Sequence, residues 1–176
     1  MTNATTAMAG AATREALVFV LAGEEYGVDI LKVQEIRGYE KPTPIPSAPR
    51  YLKGVVNLRG IVVPIIDLRM KFGYADPTYD SLTVTIILRL TGRIVGVVVD
   101  SVSDAIQLAD GDVKAAPDLG TLADASFIEG IATNDGRMVM LFDIEKFLSS
   151  DDLDLLGRAS RSEASHVPPT DAQTTG

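Results

Sequence analysis

Apolar residues in this chain come in short, β-branched runs that stop at glycine-containing turns. The stretch LVFVLAGEEYGVDILKVQEI begins at Leu17 and IILRLTGRIVGVVVDSVSDA begins at Ile86. Each reads as run, turn, run, too brief and too rich in Val and Ile for helix, so strands are predicted. The turns are Ala22-Gly23-Glu24-Glu25, Asn57-Leu58-Arg59-Gly60, Leu90-Thr91-Gly92-Arg93 and Asn134-Asp135-Gly136. Their glycines suit the positive-φ positions of tight hairpins. Pro64 lies inside IVVPIIDL and cannot donate to a ladder, which predicts an edge strand or a bulge. Residues 41–50, KPTPIPSAPR, are excluded from helix by their prolines. Asp67 and Asp143 precede the amphipathic segments LRMKF and IEKFL and are predicted N-caps. A further short helix is predicted over Asp151 to Leu156.

The pattern repeats. At an offset of 69, Leu21 falls on Leu90, Gly23 on Gly92, Gly27 on Gly96, Val28 on Val97, Val33 on Val102 and Glu35 on Asp104. At an offset of 76, Gly54 falls on Gly130, Gly60 on Gly136, Val63 on Val139 and Asp67 on Asp143. Two matching blocks in the same order in both halves indicate a duplication, about 15–72 and 82–149. Roughly five strands per half suit a small closed barrel, which leaves no open sheet edge. The predicted architecture is mainly β: two small barrels with short helices, packed as one body over residues 15–157, between disordered tails at 1–14 and 158–176.

Composition narrows the function. In 176 residues there is no cysteine, and the single histidine, His166, lies in the C-terminal tail. A Ser-His-Asp arrangement is disfavoured and a His/Cys zinc site is excluded. No phosphate-binding glycine loop is present, and no cofactor is indicated. The formal charge of −8 argues against nucleic acid. No run reaches membrane-span length and no secretory signal is visible. The charge is uneven: Lys32 to Lys71 carries a net +5 and Asp104 to Asp154 a net −9. These blocks fit either solvated faces or a molecule with one basic and one acidic side, suited to head-to-tail contacts.

The carboxylates that border apolar runs are Asp29, Asp67, Asp100 and Asp143. Helix capping accounts for Asp67 and Asp143, which occupy matching places in the repeat; Asp29 and Asp100 do not align and read as strand-end or turn residues. Arg59 is different. It sits in a tight turn where the second copy has Asp135, so the turn itself does not require it. A Glu35–Arg59 pair would hold two loops of the first module together, or would be an ordinary surface pair. The second copy offers no matching arginine at that position.

The stretch LVFVLAGEEYGVDILKVQEIRG, followed by LKGVVNLRGIVVPIIDLRMKFG, resembles the CheW coupling proteins of bacterial chemotaxis. GRIVGVVVDSVSDAIQL and GIATNDGRMVMLFDIEKFL extend the resemblance to about Leu156. It implies two SH3-like β-barrel subdomains and a non-catalytic adaptor in the cytoplasm, at membrane-associated chemoreceptor arrays. It implies two partners: the cytoplasmic tip of methyl-accepting chemoreceptors, and the regulatory domain of a CheA-type histidine kinase, which is itself similar to CheW and alternates with it in rings. The receptor helix is expected between the subdomains, against Val33, Glu35, Ile36, Gly54, Asn57, Leu58, Arg59, Val102, Ala105 and Gly130, with Gly60 as a turn residue. Gly54 and Gly130 would let the helix approach, and a larger side chain there would block docking without unfolding the barrels. Kinase-contact residues are not implied. The lack of phosphotransfer, ATP-binding and receiver segments points to a stand-alone coupler. The competing class is a small-ligand-binding β domain or a carboxylate-based enzyme.

Overall fold

A computed structural model of the chain describes residues 14–74, 77–115, 127–148, 152 and 154–159. The predicted tails before Arg14 and beyond residue 159, with His166, lie outside the described residues, although Arg14 opens the first strand and Ala159 is buried.

Among the described residues, eleven strands form two sheets. They are β1 (Arg14–Leu21), β2 (Glu24–Asp29), β3 (Val33–Gly38), β4 (Leu52–Leu58), β5 (Ile61–Asp67), β6 (Val84–Leu90), β7 (Arg93–Val99), β8 (Ser101–Leu108), β9 (Val113–Lys114), β10 (Ile128–Asn134) and β11 (Arg137–Phe142). One sheet has the order β8-β1-β2-β11-β10-β9 and the other β3-β6-β7-β5-β4. Short helices α1 (Leu68–Lys71) and α2 (Ile144–Phe147) follow β5 and β11. Residues 152 and 154–159 are helical, where a helix over Asp151 to Leu156 is predicted.

The four predicted hairpins form with two-residue loops: Leu21 faces Glu24, Leu58 faces Ile61, Leu90 faces Arg93 and Asn134 faces Arg137. In three of them both loop residues have positive φ: Ala22-Gly23, Arg59-Gly60 and Asp135-Gly136. That is the type I′ geometry, whose twist matches that of the flanking strands. Asp67 and Asp143 cap their helices, accepting from the backbone N–H of Arg69 and of Glu145 and Lys146.

The two sheets do not follow the two halves of the chain. The first-half hairpin β1–β2 joins the second-half hairpin β10–β11 through a parallel β2–β11 contact, in which Gly27 faces Leu141. The second-half hairpin β6–β7 joins the first-half hairpin β4–β5 through a parallel β5–β7 contact, in which Gly96 faces Ile65. The third strands are exchanged as well: β3 pairs β6, and β8 pairs β1. The expectation that each half closes its own barrel is therefore corrected. The duplication is present, but its pieces are swapped about a pseudo-two-fold relation, and among the described residues the chain passes between sheets twice, at Ile30–Lys32 and at Asp100.

Burial follows that exchange. A small apolar cluster fills each sheet's own concavity: Ala16, Val18, Ile106, Leu108, Ala132, Val139 and Leu141 in one, and Leu58, Val63, Ile65, Ile87 and Val98 in the other. The larger cluster lies between the sheets and takes Leu17, Phe19 and Val28 from one and Ile66, Ile86, Leu88 and Val97 from the other. All five phenylalanines of the chain join it or pack on it, with ring centroids such as Phe72–Phe147 at 4.9 Å and Phe19–Phe142 at 6.2 Å. Each fully buried ring of this kind contributes about 1.5–3 kcal/mol of transfer free energy, so much of what holds the fold together is contact between sheets.

Pro64 is neither on an edge strand nor at a bulge, because β5 lies between β7 and β4. Val55, opposite Pro64, exchanges both backbone hydrogen bonds with Thr43 on its other side. The Val55–Pro64 pair is thus the non-hydrogen-bonded kind, and the proline nitrogen faces the β7 side, where pairing starts only at Ile65. No ladder donor is lost.

Candidate docking face

Seven of the ten residues expected to contact a receptor belong to the five-stranded sheet and its β4–β5 turn: Val33, Glu35, Ile36, Gly54, Asn57 and Leu58 on strands, and Arg59 in the turn. The other three, Val102, Ala105 and Gly130, lie in the six-stranded sheet. Ile36, Asn57, Arg59 and Ala105 are exposed, and Val33, Glu35 and Val102 are half-buried. Val33 and Val102 both pack against the core between the sheets, one from each side of the fold. Leu58 is buried within its own sheet's cluster and presents no surface.

The Glu35–Arg59 pair forms. Arg59 stands at the β4–β5 turn in left-handed backbone (φ 52°), and its Nη2 donates to Glu35 Oε1 on β3. Asn57 Oδ1 accepts from Gly60 N–H at 2.8 Å and closes the turn beneath it. Arg37 also donates to Glu35, at 3.3 Å, and to Glu40, at 2.9 Å. The Arg59 hydrogen bond, aided by Arg37, holds the Glu35 carboxyl below the usual carboxylate range, against the opposing effect of desolvation. The Arg59 side chain remains 68% exposed, so its remaining donors face solvent. Ile36 on β3 and Ile61 at the start of β5 are exposed aliphatic residues (43% and 51%). Ile61 was missed in the sequence, where it reads as an ordinary strand residue. It also lines an apolar groove of about 610 Å³ shared with Val62, Pro64, Ile94 and Leu156.

Gly54 and Gly130 do not serve the purpose expected of them. A Cβ on Gly54 would lie 2.0 Å from Thr43 O, and one on Gly130 would lie 2.6 Å from Lys114 O. The backbone that approaches each glycine belongs to this chain. Both also sit at matching register shifts, Leu52/Gly54 and Ile128/Gly130. A larger side chain there would disturb the sheet before it obstructed a partner.

The six-stranded sheet has an ion pair of its own. Asp104, the repeat partner of Glu35, accepts two bonds from Arg137, both at 3.0 Å. Arg137 also forks onto Glu25, at 3.1 and 2.8 Å. The arginine therefore has a counterpart after all, moved two residues beyond the position of Asp135.

Known proteins resemble the chain across this whole body. A family model described as a CheW-like domain matches residues 15–152. The chain belongs to the CheW family. The chemotaxis protein CheW of Klebsiella aerogenes is 46% identical over 149 residues, which span 85% of this chain and 90% of that protein. The CheW of Rhizobium meliloti is 38% identical over 141 residues, 79% of this chain and 90% of that one. Among solved structures, the scaffolding protein TtCheW of Thermoanaerobacter tengcongensis superposes with a TM-score of 0.73 at 31% identity, covering 80% of this chain and 96% of that one.

The CheW fold accounts for the two sheets as two SH3-like subdomains, and the family is one of chemotaxis scaffold proteins. No group of three His, Cys, Asp or Glu side chains among the described residues is placed to hold a metal, and no helix among them is long and apolar enough to cross a membrane. The acidic and basic sequence blocks separate with the subdomains: Lys41, Lys53 and Arg59 belong to the five-stranded side, and Asp104, Glu129 and Asp135 to the six-stranded side.

Proposed function

We propose that this CheW-family chain couples methyl-accepting chemoreceptors to a CheA-type histidine kinase, as a non-catalytic adaptor at cytoplasmic receptor arrays. The observation that carries the reading is Arg59: an exposed arginine held in strained left-handed backbone, oriented by Glu35 and seated on a turn closed by Asn57. A cation fixed in this way at the turn that leads into exposed Ile61 suits an amphipathic helix that offers an apolar stripe with an acidic or amide edge. In this reading the receptor contacts are Val33, Glu35, Ile36, Asn57 and Arg59, with Val102 and Ala105 on the other subdomain. Gly54, Leu58 and Gly130 support the face from within. The scaffold influences kinase activity only by binding kinase states unequally. Co-sedimentation with a receptor cytoplasmic fragment and the kinase tests the reading. The wild-type chain is expected in the pellet with both, and Arg59→Glu is expected to lower receptor retention at least about tenfold, about 1.4 kcal/mol. Retention of Arg59→Glu at the wild-type level would move the site elsewhere.

A further inference from the structure

A second groove, of about 400 Å³, shares no residue with the Arg59 turn; it is lined by Tyr39, Lys41, Pro42, Pro44, Lys53 and Tyr79. The rings of Tyr39 and Tyr79 stack with their centroids 4.4 Å apart. The Tyr79 hydroxyl donates to buried Asp67 at 2.7 Å, and the guanidinium of buried Arg69 lies 4.9 Å from the Tyr79 ring centre. The aromatic pair is thus fixed by the fold, yet Tyr79 stays 38% exposed. Lys53 Nζ lies 5.6 Å from the same ring. Arg37, Arg69 and Lys71 each pair with carboxylates. Lys41 and Lys53 pair with none among the described residues. A fixed aromatic pair beside prolines and two unpaired cations suits an extended, proline-bearing segment that carries an acid.

The chain contains such a segment, His166-Val167-Pro168-Pro169-Thr170-Asp171, beyond the described residues. Polyproline II has three residues per turn and a rise of about 3.1 Å, so Pro168 and Asp171 would share one face about 9 Å apart. The segment is tethered within reach of the groove. Asp152 accepts from the Tyr51 hydroxyl and, at 2.8 Å, from Lys71 Nζ. Tyr51 stands two residues before Lys53. Ala159 ends the described helical residues that follow Asp152, about 10 Å further on at helical rise. From there Ser160 to Pro168 can span up to about 30 Å. We propose that residues 167–171 dock in the Tyr39–Tyr79 groove of their own chain, with Pro168 against the tyrosine pair and Asp171 meeting Lys41 and Lys53. The C-terminal segment is then a displaceable cover for this groove.

The chain has no cysteine, so Ala172→Cys carries a single nitroxide label next to Asp171. In the isotope-enriched full chain, the amide signals of Tyr39, Lys41 and Lys53 are expected to lose more intensity to the label than those of Asp104 and Glu129 on the other subdomain. A short tether gives an effective concentration in the mM range, so a segment with a Kd of about 1 mM is half docked. Lys53→Glu, and separately Pro168→Ala combined with Pro169→Ala, are each expected to weaken docking about tenfold and to remove the preferential loss. If Lys53→Glu fails to fold, the proline variant decides. No preferential loss at the groove, or a loss that survives the proline variant, overturns the proposal. An equal loss when unenriched labelled chain is mixed with enriched unlabelled chain places the segment on a second copy and overturns it too. Neither receptor nor kinase takes part, so this failure is separate from failure of the receptor reading.

Discussion

Two arginine–carboxylate sites stand at related places in the repeat, and they use their arginines differently. Arg59 makes a single ion pair, from the apex of a turn, with its side chain 68% exposed. Arg137 lies at the start of a strand, is 31% exposed, and is held by both Glu25 and Asp104. The acid keeps its place in both copies, Glu35 and Asp104, while the cation moves by two residues. At Arg137 the guanidinium is committed to fastening β2, β8 and β11 together. At Arg59 most of it faces solvent. Duplication thus produced one internal clamp and one outward-facing site from the same hairpin.

Substitutions separate these roles. The largest effect falls on the glycines beside the two hairpins. Gly54→Ala combines a 2.0 Å backbone collision with φ at +142° and is expected to cost more than about 3 kcal/mol. Gly130→Ala, without the positive φ, is expected to cost about 1–3 kcal/mol. Urea denaturation measures both, and equal costs would remove the distinction between the copies.

Next is Arg137→Ala, which breaks a four-bond clamp and is expected to cost about 1–2 kcal/mol by urea denaturation. Arg59→Ala is expected to change stability by no more than about 0.5 kcal/mol. Arg59→Gly is expected to be neutral or slightly stabilising, because glycine is at ease in left-handed backbone. A larger loss of stability at Arg59 than at Arg137 would reverse the assignment of roles.

The smallest effect is in acid. Glu35 and Asp104 both have carboxyl groups lowered chiefly by their arginines. A lowered native pKa stabilises the fold above the unfolded value, and that contribution is lost as pH falls through the native value. Both pairs are therefore intact at neutral pH and weaken below about pH 4. Carboxyl-carbon NMR titration should show Glu35 returning toward the ordinary carboxylate range in Arg59→Ala, and Asp104 doing so only in Arg137→Ala.

Much of this was visible in the chain itself. The four hairpins announce themselves through a glycine at the second loop position, and the two caps through an aspartate before a short amphipathic stretch. Glu35–Arg59 was readable because the repeat shows Asp135 where Arg59 stands. Arg137 was missed because the alignment compares equal positions and cannot show a cation displaced along a strand. The exchange of hairpins was not legible either. Strand text states periodicity and turn type, but the parallel contacts of β2 with β11 and of β5 with β7 join residues far apart in sequence, and either half could in principle have closed on itself. Gly54 and Gly130 read as places where a receptor helix would come close. Only the coordinates show that the approaching backbone is the chain's own, from Thr43 and Lys114.

The most direct test is kinase activation in a reconstituted mixture of receptor fragment, CheA-type kinase and this chain, comparing the unsubstituted chain with Arg59→Glu and with Arg137→Ala at a temperature where Arg137→Ala remains folded. The account predicts activation by the unsubstituted chain, loss of it in Arg59→Glu, and near-full activation by Arg137→Ala. Full activation by Arg59→Glu, or none by the unsubstituted chain with either partner bound, would contradict it.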